Sequence, residues 1–138
     1  MKTYRFTVMA AVVLALLACV TAVSAKNKLM PKVYAFGFSA SFNDSTVYFT
    51  DIQEVDSVWI NAKNDFLLNR SEYSYQLRNY FDGKGQPHRT CIIVYALKRK
   101  DIDKKYRKMK DKYTKKGNFD VRYLKEEDFR FKAVPMAQ

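Results

Sequence analysis

Ten consecutive residues, Val33 to Phe42, alternate between two faces, and this run constrains the chain more than any other feature. Tyr34, Phe36, Phe38, Ala40 and Phe42 fall on one side; Val33, Ala35, Gly37, Ser39 and Ser41 fall on the other. A period of two, with aromatics gathered on one side, predicts a β-strand. Asn43-Asp44-Ser45 follows, and short polar side chains of this kind bond the local backbone in turns. Thr46–Thr50 then returns as a second β-rich run. Together these predict a β-hairpin.

After the hairpin the period changes. Asp51 to Asn69 reads as a connection packed on the core, with Val58-Trp59-Ile60 as a candidate short strand inside it. Ser71 suits a helix N-cap, Tyr73, Leu77 and Tyr80/Phe81 recur at helical spacing, and Gly83 fits just past the helix end. Thr90–Leu97 is apolar on both faces, which predicts a strand central in its sheet. Asp101–Lys116 reads as a second helix: Ile102, Tyr106, Met109 and Tyr113 form one narrow apolar stripe. Asp101 and Asp103 suit its positive end, Lys115 and Lys116 its negative end, and Gly117 its stop. Phe119–Tyr123 alternates as a strand, Glu126-Glu127-Asp128 is a polar break, and Phe129-Arg130-Phe131 is a candidate last strand.

The order β-β-α-β-α-β predicts an α+β fold: a small single domain with a four- to five-stranded antiparallel or mixed sheet and two helices on one face. A ferredoxin-like arrangement is one compatible topology. The segment from Thr90 to Tyr123 has the form of a crossover joining parallel strands.

The chain divides into residues 1–25 as a signal peptide, 26–31 as a polar lead-in, 32–134 as the single α+β domain and 135–138 as a C-terminal tail. Lys2 and Arg5 precede an almost wholly apolar run from Val8 to Val23, and Val23-Ser24-Ala25 offers small residues before the polar Lys26. The apolar run is shorter than the ~20 residues that span a bilayer, so a cleaved leader and export to the periplasm or beyond are expected. An alternative starts from Leu16-Leu17-Ala18-Cys19, which resembles a bacterial lipobox and would anchor a lipoprotein at Cys19. With Cys19 removed, Cys91 has no partner for an intramolecular disulfide. Its place in an apolar run predicts a small buried, inert hydrophobe. Hydrophobic residues make up 48% of the chain, with only 4 Gly and 3 Pro, which excludes a disordered or low-complexity chain.

Charge is distributed unevenly. From Lys98 to Lys116 there are 11 basic and 3 acidic residues, a net +8, while the rest of the chain after residue 25 is close to neutral. Lys104, Lys105, Arg107, Lys108, Lys110 and Lys112 are therefore candidate polyanion-binding residues, for an anionic polymer or lipopolysaccharide. Export disfavours nucleic acid, and a protein partner is also compatible. The plain alternative is a solvated helix face. Tyr48, Tyr75, Tyr95, Tyr106 and Tyr123 could line a sugar- or peptide-binding surface, but core and sheet packing is the better explanation of them.

Catalytic signals are weak. His88 and Cys91 give two potential metal ligands where a structural zinc needs four. Glu126, Glu127 and Asp128 are too close together to flank a glycosidic bond, and Asp51, Glu54 and Asp56 form only a loose set. No nucleophile elbow, P-loop, Rossmann glycine pattern or zinc-protease motif occurs. A non-catalytic binding or interaction domain without cofactor or metal is expected. The alternative is an enzyme of unrecognised type acting on an envelope or extracellular glycan or peptide.

Three stretches, SFNDSTVYFTDIQ at 41–53, RSEYSYQL at 70–77 and TCIIVYALKRKDIDKKY at 90–106, give the chain a texture that resembles small exported proteins of unknown function from gut-type Bacteroidetes. The resemblance implies an exported small domain. It carries no catalytic motif, so it assigns no role to any residue.

Overall fold

The computed structural model describes residues 26–136. The leader, Cys19 and the last two residues of the tail lie outside that range. Within it, β1 (Asn27–Ala40), β2 (Thr46–Thr50), β3 (Gln53–Asn61), α1 (Arg70–Gly83), β4 (Thr90–Ala96), α2 (Arg99–Lys115) and β5 (Asp120–Leu124) form an α+β domain with a mixed five-stranded sheet.

β1 is the spine. β4 pairs antiparallel along one of its edges, from Tyr34↔Ala96 to Ala40↔Thr90. β2 and β3 lie end to end along the other, through Phe38↔Phe49 and Ala35↔Gln53. Between those pairs Thr50, Asp51 and Ile52 stand opposite only Phe36 and Gly37, so the junction is a β-bulge. Gly37 N–H donates to Thr50 Oγ1 at 2.7 Å in place of a ladder bond. A Cβ at position 37 would lie 2.7 Å from Leu77 Cδ2, so any larger residue here would force the Leu77 side chain to shift. β5 adds outside β2, in parallel.

Alternation along β1 then builds two cores. Val33 and Ala35 pack with Tyr73, Leu77 and Phe81 of α1; Phe36 and Phe38 pack with Phe49 and with Ile102 of α2. Adjacent strand residues point to opposite faces, so the helices cover opposite faces of the sheet. This corrects the expectation that they share a face, as a ferredoxin-like arrangement would require. The topology explains the outcome. The crossover through α1 runs from β3 to β4, across β1; the crossover through α2 runs back from β4 to β5. Crossovers of one hand that travel in opposite directions must use opposite faces.

Other expectations change as well. The supposed lead-in is the start of β1, and Asn27–Met30 pair with Val58–Asn61. Gln53–Asn61 is a full strand. Among the described strands β4 lies at the edge of the sheet and not at its centre: its two apolar faces are explained by a helix on each side. Asn69, at φ 59°, takes the N-cap position of α1, with Ser71 inside the first turn, and Gly83 is the last helical residue. Phe129–Phe131 is not a strand. Gln53 holds it instead, donating from Nε2 to Phe129 O at 2.8 Å and accepting from Phe131 N–H at 2.8 Å. Gln76 grips Lys132 in the same way, at 2.8 and 2.9 Å. These amide clamps lay Phe129 and Phe131 over the α1 side of the core.

Candidate functional site

The stripe foreseen on α2 is what docks the helix. Ile102 is buried, and Tyr106, Met109 and Tyr113 are half-buried against β1 and β2. Tyr106 meets Phe36 edge-on at 5.0 Å between ring centres, and Tyr113 meets Phe38 at 4.8 Å. With that stripe consumed by the sheet, the remaining side chains of α2 lie at the surface. No helix among the described residues is long and apolar enough to cross a membrane.

The six candidate basic residues fall into two groups. Taking Ile102 as zero, at ~100° per residue, Lys104, Lys105, Lys108 and Lys112 occupy roughly 200–300°, and Lys110 and Arg107 roughly 80–140°. The first group faces β4 and the second faces β5. Lys110 Nζ lies 5.2 Å above the Tyr123 ring of β5, and Arg107 Nε donates to Asp103 O at 3.4 Å. Two of the three acidic residues of the helix are engaged elsewhere: Asp103 pairs with Arg99 at 3.2 Å and Asp111 approaches Lys115 at 4.0 Å, while Asp101 stays on the lysine side. Among the described residues, none of the six candidates forms an ion pair on either flank; what sets the β4 side apart is the cleft beside it.

Beside that group lies a cleft of about 830 Å³. Lys98, Lys104, Lys105 and Lys108 form one wall, the 64–70 segment with Phe66 and Arg70 forms the other, and β4 residues Val94–Ala96 run between them. Asp65 and Asp101 are the acidic residues of the lining. Tyr95 fixes the second wall: its hydroxyl donates to Asp65 O and accepts from Leu67 N–H, both at 2.9 Å. Phe66, beside these pinned positions, is 65% exposed. Lys105 Nζ donates to Tyr95 O at 3.1 Å, and Arg70 Nη2 donates to Ile93 O at 3.4 Å.

The other candidates do not converge. Tyr48 packs on Phe81 in one core, Tyr106 sits in the other, and Tyr75 is exposed on α1, so the five tyrosines form no common surface. Cys91 is half-buried, less enclosed than expected. Burial pushes its thiol up, while the hydrogen bond to Ser39 and the charge of Arg89 pull it down. His88 sits in the loop before β4 at φ 65°. No group of three or more His, Cys, Asp or Glu residues is placed to hold a metal among the described residues. Glu126 pairs with Arg130 and its N–H donates to Asp51 Oδ2 at 3.1 Å, so this acidic cluster ties the C-terminal segment to the β2–β3 junction.

Sequence reasoning missed Arg89. Its side chain is 3% exposed, stacked 4.9 Å from the Tyr48 ring centre and 5.4 Å from that of Phe81. Nε donates to Ser39 Oγ at 2.8 Å, and Nη2 donates to Ser39 O at 3.2 Å and to Thr46 O at 2.7 Å. Asp44 supplies the countercharge at 3.6 Å. Arg89 therefore fastens β4 to both arms of the hairpin. The available signal was Ser39, a small hydroxyl residue on the α1-facing side of β1, which leaves room and an acceptor for the guanidinium. No protein family, curated protein or solved structure matches this chain.

Proposed function

We propose that this is an exported, non-catalytic binding domain that holds an anionic polymer, such as lipopolysaccharide or an acidic glycan or polypeptide, along the β4-facing flank of α2. The observation that carries the reading is the group of four lysines without ion-pair partners among the described residues, set beside a cleft with further basic residues in both walls. Like charges gathered on one flank repel one another and add nothing to folding, whereas a polyanion is attracted to the summed field. The leader signal and the texture resemblance support action in the cell envelope or outside the cell. N-terminal sequencing of exported material should begin at Lys26; a lipid-modified Cys19 would place the protein on a membrane surface.

The test is salt elution from a heparin or lipopolysaccharide column. Binding of this kind weakens as the Debye length falls from ~10 Å at 0.1 M to ~3 Å at 1 M. The variant carrying Lys104→Gln, Lys105→Gln, Lys108→Gln and Lys112→Gln should elute at clearly lower salt with an unchanged circular dichroism spectrum. Elution at the wild-type salt concentration would make the flank ordinary solvated surface.

A further inference from the structure

The cleft straddles a strand edge. Among the described strands β4 pairs only with β1. Gly37 N–H is directed to Thr50, on the β2 side of β1. Backbone groups alternate along a strand, so the even residues of β1 bond toward β4, and their partners are Thr90, Ile92, Val94 and Ala96. The N–H and C=O groups of Cys91, Ile93 and Tyr95 therefore point away from β1 along the outer edge, and of the three Tyr95 lines the cleft. The two carbonyls with off-edge partners agree: Ile93 O accepts from Arg70 and Tyr95 O accepts from Lys105.

We infer that the outer edge of β4 takes an extended acidic peptide as an added strand. This rests on reading the cleft as an anion site, and it names the polymer as a polypeptide. Arg70 and Lys105 now occupy positions that the N–H groups of an incoming strand would take. Once replaced there, their charges are released to the peptide's carboxylates. Side chains of an added strand alternate between faces. One set would meet Lys104, Lys105 and Lys108 of α2, and the other would meet Leu67 and the exposed Phe66. The fitting sequence therefore alternates acidic and apolar residues, with main-chain bonds supplying affinity and the two walls supplying specificity. A second copy of the same edge is excluded as occupant by charge, because edge-to-edge pairing would bring two lysine rows together.

The probe is a fluorescent ten-residue peptide of alternating Glu and Val, with two derivatives N-methylated at every Glu or at every Val. Only one of these sets can point its N–H groups at β4. The parent peptide should bind, one derivative should lose roughly tenfold or more in affinity, and the other should bind like the parent. Amide exchange at Ile93 and Tyr95 should slow on binding. If both derivatives bind like the parent, or if exchange at these two amides is unchanged, strand addition is wrong. Retention on heparin in that case leaves the anion site standing and points to a polymer other than an extended peptide. Loss of both peptide and heparin binding would remove the anion site itself.

Discussion

The two helices are crossovers of similar length on opposite faces of one sheet, yet they do different work. α1 sinks Tyr73, Leu77 and Phe81 to 2% exposure or less, and the clamped C-terminal segment packs into the same core. Its charged residues, Arg70, Glu72, Arg78 and Asp82, balance. α2 fully buries Ile102 alone, rests on three half-buried residues and carries most of the chain's excess positive charge. Stability explains the sequence of α1. It explains the stripe of α2 and leaves the lysines unexplained. A residue set of which only Lys105 bonds the sheet, through Tyr95 O, gathered on one flank beside a cleft, is where function is best sought.

The largest difference between the two helices should be in stability. Leu77→Ala should cost ~2–5 kcal/mol, because it opens a cavity in the closed core. Met109→Ala, at a half-buried site on α2, should cost roughly 1 kcal/mol. Chemical denaturation reads both; equal losses would erase the distinction between the helices. Next comes Arg89→Met, which leaves Ser39 O, Thr46 O and Asp44 without their partner. It should cost about 2–4 kcal/mol by the same measurement. A loss near zero would mean that the arginine is decorative and free for another role.

A smaller effect concerns Cys91, on the α1 side of β4. Burial disfavours its thiolate, so the folded thiol holds its proton to higher pH than a free one. The pH profile for alkylation of the native protein should be displaced upward from that of the unfolded chain. A downward displacement would mean that Arg89 outweighs burial and would reopen the site as a reactive thiol.

Legibility of the fold followed periodicity. The stripe Ile102–Tyr113 and the alternation from Val33 were readable because each repeats without interruption. β3 was not, because its buried residues shift from Gln53 and Val55 to Val58 and Ile60 around Ser57, whose φ of 59° breaks the period of two. The first residues of β1 are largely exposed and pair through the backbone, so Asn27–Met30 leave no apolar pattern. Two apolar faces on β4 suggested a central strand; they record a helix on each side and say nothing about neighbours in the sheet. For the candidate site, the lysines were plain from the sequence. Their division into two flanks was implicit in helical geometry. The opposite wall, with Phe66 and Arg70, was invisible because it lies about 30 residues away and is held by Tyr95.

The most direct measurement compares the two flanks of α2 on one anionic column. Replacing Lys104, Lys105, Lys108 and Lys112 with Gln should lower the eluting salt by clearly more than twice the drop caused by Arg107→Gln with Lys110→Gln, which removes half the charge. Per charge removed, the β4 side should dominate, with the unfolding free energy of both variants within ~0.5 kcal/mol of wild type. Equal loss per charge from either flank would mean that the protein offers a diffuse positive field and no cleft-centred site.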